Sequence, residues 1–152
     1  MAEKGVGESL LVEDAIEQVS HRVGPDTPLS QVIDAMVRRH VGAVPVVGER
    51  SEVLGIITSG DALDQVLRGG ALDDVSPKGD VLKARDVMTR TVLCVSEGQR
   101  LIDAAHMMVH KKVEQLPVVR DGELIGMITR SKVLRALHLG SLITEDEGGS
   151  TS

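Results

Sequence analysis

The sequence predicts an α+β fold made of two tandem repeats, each running strand, helix, strand, strand, helix (β-α-β-β-α). Two recurring segments predict it. The stretch Gly55-Ile56-Ile57-Thr58-Ser59-Gly60-Asp61-Ala62-Leu63 returns as Gly126-Met127-Ile128-Thr129-Arg130-Ser131-Lys132-Val133-Leu134. Upstream of each lies an apolar run with a proline inside it, Ala43-Val44-Pro45-Val46-Val47 and Gln115-Leu116-Pro117-Val118-Val119. Matching segments in one order at one spacing mark an internal duplication.

Residues 1–8 are polar and glycine-containing, and are expected to fray. Leu10, Leu11, Ile16 and Val19 suggest a short entering helix, and Ser20 to Val23 a short strand. In Pro25-Asp26-Thr27-Pro28, Thr27 can cap a helix and Pro28 suits its first position. Leu29, Val32, Ile33 and Met36 then form one apolar stripe, closed by Arg38-Arg39-His40, whose charge complements the helix dipole. The run Val44 to Val47 reads as a strand that lies at an edge or leaves Pro45 unpaired. Gly48 to Ser51 turns the chain into a strand from Val53 to Thr58. Ala62, Leu63, Val66 and Leu67 mark the closing helix, stopped by Gly69-Gly70.

The second repeat follows the same order. Ala84 to Met88 opens it, with a strand over Val92 to Val95 and a helix marked by Leu101, Ala105 and Met108. After the Pro117 strand, Asp121-Gly122 is a two-residue hairpin signal. Leu124 to Thr129 is the next strand, and a helix through Val133, Leu134 and Leu137 ends at Gly140. The reading gives a first domain at 12–69, a linker at 70–83, a second domain at 84–140, and flexible tails at 1–8 and 145–152.

Composition bounds the function. A chain of 152 residues suits one compact unit or two small halves that share a core, since neither half alone buries much apolar surface. The apolar fraction is 41% with no Phe, Tyr or Trp, which argues against stacking platforms for single-stranded nucleic acid. A net charge of −6 repels a DNA backbone on average, although a local cluster of donors can still hold a small anion. Cys94 is the single cysteine, so no intrachain disulfide forms, and this fits a reducing compartment. With neither a signal pattern at the N-terminus nor a run of about 20 apolar residues, the chain is expected to be soluble and cytoplasmic, off the membrane.

The ordered segments resemble a tandem pair of cystathionine-β-synthase (CBS) domains, a Bateman module, of the stand-alone kind. The match rests on Asp14-Ala15-Ile16, the helix after Pro28, Val44 to Val47, and Gly55-Ile56-Ile57-Thr58-x-x-Asp61. In the second half it rests on Asp86-Val87-Met88, the helix after Val95, Leu116 to Val119, and Gly126-x-Ile128-Thr129. The resemblance covers roughly residues 12–139. It implies repeats packed sheet to sheet about a pseudo-twofold axis, with clefts for adenine nucleotides or S-adenosylmethionine. It further implies a homodimer that acts as a regulatory sensor for a partner protein, with no covalent cofactor.

By that resemblance the first site comprises Ser20, His21, Ala43, Val44, Pro45, Thr58, Ser59, Gly60 and Asp61. A carboxylate at Asp61 can accept both hydroxyls of a ribose, Gly60 lets a ligand approach the backbone, and Thr58 can donate to an oxygen. Unpaired N–H groups at a helix start favour an anion. Equally, Thr58-x-x-Asp61 ahead of an apolar stripe reads as a capping box with no ligand at all. The second, weaker site comprises Leu93, Gln115, Leu116, Pro117, Thr129, Arg130 and Lys132. Lys132 stands where Asp61 stands and has no acceptor, so that cleft is either empty or serves phosphates through Lys132 and Arg130. Some family members carry basic residues just before the proline strand. Gly42-Ala43 and Glu114-Gln115 stand there instead, which favours AMP or an uncharged tail over a triphosphate.

The remaining candidates have plain structural readings. His106 and His110 have a zinc-compatible spacing but no third ligand, so no metal site is expected. Arg38-Arg39-His40 and His110-Lys111-Lys112 read as solvated helix ends. Cys94 reads as a small core residue, and Met107 and Met108 as core filler or a dimer seam. His21 either lines the cleft or sits at a strand edge. No catalytic set assembles, so an enzyme is not expected. The competing role is a structural dimerisation module with vestigial clefts.

Overall fold

Two short sheets, each covered by helices, carry the chain. They are seen in a computed structural model that describes residues 9–69, 82–90 and 93–149. The elements are α1 (Leu29–Arg39), β1 (Ala43–Val47), β2 (Val53–Thr58), α2 (Ser59–Leu67), α3 (Ala84–Val87), β3 (Val95–Ser96), α4 (Leu101–Lys111), β4 (Gln115–Arg120), β5 (Glu123–Thr129) and α5 (Arg130–Gly149). The α+β class and the strand–strand–helix half of each repeat stand as the sequence predicts. No helix among the described residues is long and apolar enough to cross a membrane.

The chain forms two compact units that do not coincide with the sequence repeats. One holds Val19–Val92 with Gly122–Leu124; the other holds Met1–Gln18, Leu93–Asp121 and Ile125–Ser152. The segment that opens each repeat in sequence therefore folds with the body of the other.

Within the first unit, β1 and β2 pair antiparallel. Thr89 then adds to the free side of β2, exchanging two 2.9 Å hydrogen bonds with Ile56. Within the second unit, β3, β4 and β5 form a sheet. There Glu17 adds to β5, exchanging bonds of 2.8 and 3.0 Å with Met127. The same docking segments close the helix starts. The Leu82 carbonyl accepts from Leu29 N–H, and the Leu10 carbonyl from Leu101 N–H, both at 2.9 Å. Each bond satisfies a donor that a helix N-terminus otherwise leaves orphaned.

Gly55 and Gly126 make that docking geometrically feasible. A Cβ at Gly55 would lie 2.7 Å from the Thr89 carbonyl oxygen, and one at Gly126 would lie 2.7 Å from that of Glu17. Those oxygens belong to backbone held in a ladder and cannot swing away.

The first strand of each repeat is shorter than the sequence suggests, and the prolines explain why. Val23 makes a single parallel bridge to β1, donating to Pro45 O and accepting from Val47 N. The next bond of that ladder would run from the nitrogen of residue 45 to the His21 carbonyl, and proline has no N–H. Ser20 to Arg22 are accordingly not strand. In the second repeat Val95 and Ser96 pair with Val118 and Val119, and Pro117 stops the ladder short of Leu93 in the same way. Leu93 and Cys94 lie outside β3, and Thr91 and Val92 lie outside the described residues. Nor is β1 an edge: Pro45 pairs with Ile56 on one side and accepts from Val23 on the other.

Other boundaries shift for local reasons. The entering helix is a single 3-10 turn, Val12–Asp14, because Leu11 bridges to Arg100 and Glu17 to Met127, which keeps the flanks extended. Asp121 (φ 51°) and Gly122 (φ 82°) form the left-handed hairpin turn that the dipeptide predicts. The last helix does not stop at Gly140, which is buried within it; α5 continues through Glu145 to Gly149. The expected tail at 1–8 lies outside the described residues, as do 150–152 of the expected tail at 145–152 and 70–81 of the expected linker at 70–83. Residues 145–149 are helix rather than tail, and Leu82 bonds the first unit rather than serving as free linker.

The core of the first unit gathers Leu29, Val32 and Met36 of α1 over Val44, Val46 and Ile57, with Ala84 of α3. That of the second gathers Leu101, Ala104 and Met108 over Leu116, Val118 and Ile128, with Val12. In urea titrations, Gly55→Ala or Gly126→Ala is expected to lower stability by about 1–3 kcal/mol, the cost of overpacking. Gly98→Ala, whose Cβ meets nothing within 4 Å, should stay within about 0.5 kcal/mol of wild type.

Candidate functional site

The end of β2 delivers Thr58 to the start of α2, and there the two readings of Thr58-x-x-Asp61 meet. Thr58 Oγ1 accepts from Asp61 N–H at 3.2 Å, and Asp61 Oδ2 accepts from Thr58 N–H at 2.9 Å. The capping box is fully formed. Ser59 N–H, the first of the helix, is taken by the Gly42 carbonyl at 2.8 Å. That bond ties the helix start to the residue just before β1.

The box does not use everything at this corner. Among the described residues, Asp61 Oδ1 accepts no hydrogen bond and Gly60 N–H donates none. Asp61 is half-buried and Gly60 exposed, so neither residue is closed off from solvent. An ionised carboxylate can serve the cap through one oxygen and a hydroxyl-bearing ligand through the other. Capping and binding are therefore compatible.

The other residues of the first set divide. Ala43 is half-buried, while Val44 and Pro45 are buried in β1. Ser20 is exposed, and its carbonyl accepts from Arg39 Nη1 at 3.3 Å. His21 is half-buried and lines an open groove against α1, together with Arg22, Arg38 and Arg39.

In the second repeat the same corner is half built. Thr129 Oγ1 accepts from Lys132 N–H at 3.3 Å, but Lys132 returns nothing to the Thr129 N–H, and its side chain is exposed. Arg130 N–H bonds the Glu114 carbonyl at 3.0 Å, the counterpart of Ser59 to Gly42. The Arg130 guanidinium turns to the end of α4. Nε donates to Val113 O at 2.8 Å and Nη2 to Met108 O at 3.0 Å. A side chain spent on helix-end carbonyls is a poor phosphate ligand. Gln115 and Leu93 are half-buried, and Leu116 and Pro117 are buried.

His106 and His110 stack at 6.3 Å between ring centroids. No group of three or more His, Cys, Asp or Glu among the described residues is placed to hold a metal ion. Cys94 is half-buried, and burial pushes its thiol pKa up, away from nucleophilic use. Sequence reasoning missed the Arg22 groove and the role of Arg130. Both depend on which backbone carbonyls lie within reach, which no local pattern specifies.

The model of the CBS domain matches residues 12–68 and 84–139. An uncharacterised protein of Methanopyrus kandleri is 34% identical over 114 residues, which is 74% of this chain and 55% of that protein. The chloroplastic CBS domain-containing protein CBSX1 of Arabidopsis thaliana is 30% identical over 137 residues, 76% of this chain and 58% of that protein. The chain thus spans little more than half the length of these two relatives. The crystal structure of CBSX2 in complex with AMP superposes with a TM-score of 0.74 at 28% identity, covering 86% of this chain and 98% of that one.

Since the box is complete at Asp61 and lacks its carboxylate at Lys132, the corners should respond oppositely to substitution. Asp61→Ala is expected to lower thermal or urea stability by about 0.5–2 kcal/mol. Lys132→Glu should raise it by about 0.3–1 kcal/mol, by supplying the missing acceptor and relieving the dipole.

Proposed function

The chain belongs to the CBS-domain family, and on that premise we propose that it is a regulatory module whose first repeat binds an adenosyl ligand at Asp61. The observation that carries the reading is the division of labour on that carboxylate. Oδ2 is committed to Thr58 N–H, while Oδ1 accepts no hydrogen bond among the described residues. Two vicinal ribose hydroxyls are suited to an ionised acceptor of this kind. The AMP complex of CBSX2, similar over 86% of this chain, supports the choice of ligand class. Ser20, His21 and Ala43 to Pro45 complete the site around the adenine, with Thr58, Ser59 and Gly60 at the sugar.

AMP and S-adenosylmethionine are favoured among the candidates, ahead of ADP and ATP, because Gly42-Ala43 supplies no cation for further phosphates. The set around Thr129 is the lesser site, since Lys132 is no acceptor and Arg130 is engaged. The module is read as a cytoplasmic protein with CBS domains at 12–69 and 84–140 and a linker at 70–83. It performs no chemistry; ligand binding shifts its conformation by differential affinity, and a partner protein reads the shift.

The module works as a homodimer in this reading. Val37 and Leu63 on α1 and α2, and Val109 and Leu134 on α4 and α5, are 59–70% exposed. Large apolar side chains at matching positions of two repeats favour a helical face covered by a second copy. A specific observation also favours a second reading, a dimerisation module without ligand: the capping box alone accounts for Thr58 and Asp61.

Calorimetric titration with AMP separates the two readings. Binding to wild type, weakened by about 1.5–3 kcal/mol in Asp61→Ala, supports the sensor. Asp61→Asn, which keeps an acceptor for Thr58 N–H, should weaken binding with a smaller loss of stability. No heat with AMP, ADP, ATP or S-adenosylmethionine leaves the dimerisation module. Sedimentation equilibrium tests the dimer, which Val109→Asp combined with Leu134→Asp should convert to monomer; a monomeric wild type refutes it.

A further inference from the structure

The first unit carries a basic groove that neither the capping corner nor the apolar helix faces use. It lies between α1 and the segment His21 to Thr27, with a volume of about 830 Å3. Of the side chains lining it, Arg22, Arg38 and Arg39 are cationic and only Asp34 is acidic. The chain as a whole carries −6, so this local excess runs against the global charge.

The guanidinium groups are held but not consumed. Arg38 Nε is fixed by both Asp34 oxygens at 2.8 and 2.9 Å. Arg39 Nη1 bonds the Ser20 carbonyl at 3.3 Å, and Arg22 Nη1 reaches the Leu124 carbonyl at 3.5 Å. Each keeps further N–H groups without an acceptor among the described residues. Complementing the dipole of α1 explains Arg38 and Arg39 in its last turn. It does not explain Arg22, which lies off the helix.

The second repeat serves as an internal control. In register with Val23 and Val95, Arg22 corresponds to Cys94, Thr27 to Gln99, Ala35 to Met107 and Arg39 to Lys111. There Gln99 Nε2 meets Met107 Sδ at 3.5 Å, so long side chains occupy the space that Ala35 leaves open. The groove is thus not a by-product of the fold. One copy has a small residue on its floor and Arg22 on its rim; the other has neither.

We infer that this groove is a second ligand site, specific for a polyphosphate group. Planar guanidinium forks match phosphate oxygens two at a time, and three forks against one carboxylate suit more than one phosphate. The group can be free inorganic polyphosphate or the tail of a nucleotide. The groove borders the adenosyl site at His21 but includes none of Thr58 to Asp61, and it does not depend on the adenosyl reading.

Calorimetry with inorganic pyrophosphate and tripolyphosphate on the full chain tests it, with citrate as a non-phosphate anion. Pyrophosphate should bind wild type and Asp61→Ala alike. Binding should weaken by about tenfold or more in Arg22→Gln/Arg39→Gln, which removes two forks. Ala35→Met, which fills the floor without touching charge, should weaken it as well, with circular dichroism confirming the fold. Lys111→Gln should change nothing. Displacement of pyrophosphate by ADP in Asp61→Ala assigns the group to a nucleotide tail, and its absence assigns it to free polyphosphate. No binding to wild type overturns the inference. So does equal binding of citrate, survival of binding in the double arginine variant, or an equal loss in Lys111→Gln.

Discussion

Backbone meeting backbone at Gly55 and Gly126 is the constraint on which the rest of the structure depends. With no Cβ at either position, Thr89 and Glu17 can lie against β2 and β5 and complete the sheets. The same segments then supply Leu82 O and Leu10 O to the starts of α1 and α4. Each compact unit therefore borrows a bridging residue and a helix cap from the segment that opens the other repeat. A half of this size has little core of its own, and the borrowed segments contribute Val12 and Ala84 to the two cores.

The prolines set the other boundary. Because Pro45 and Pro117 have no N–H to give, the parallel ladders stop at Val23 and Val95. Ser20 to Arg22 and Leu93 to Cys94 are left outside the sheet. That release turns His21 and Arg22 toward α1 in the first unit. The capping corner is held by three bonds: Ser59 N–H is tied to Gly42 O, and Thr58 is tied to Asp61 in both directions. A ligand meeting Asp61 Oδ1 finds an acceptor already oriented, with little rotamer freedom left to lose.

Much of this was legible from particular residues. The paired proline strands and the Gly-to-Thr strands announced the duplication, and Asp121-Gly122 announced its turn. Thr58 and Asp61 announced the box, and Lys132 its loss. What could not be read was long-range pairing. Ala84 to Met88 looks like the opening of the second repeat, and long-range contacts assign it to the first unit: the carbonyls of Pro25 and Thr27 accept from Arg85 and Ala84, and Ala84 joins the first core. Arg130 likewise looked like a ligand for phosphate until Met108 and Val113 appeared as its acceptors. The contrast between Ala35 and Met107 was present in the sequence, but it acquires meaning only beside a groove.

The central claim is that Asp61 performs two tasks at once, closing α2 with one oxygen and holding a ribose with the other. A crystal structure of the protein grown with AMP tests this most directly. The account predicts a ribose hydroxyl within hydrogen-bond distance of Asp61 Oδ1 while Oδ2 still accepts from Thr58 N–H. A structure in which AMP lies elsewhere, or in which both oxygens turn to the backbone with AMP in excess, would contradict it.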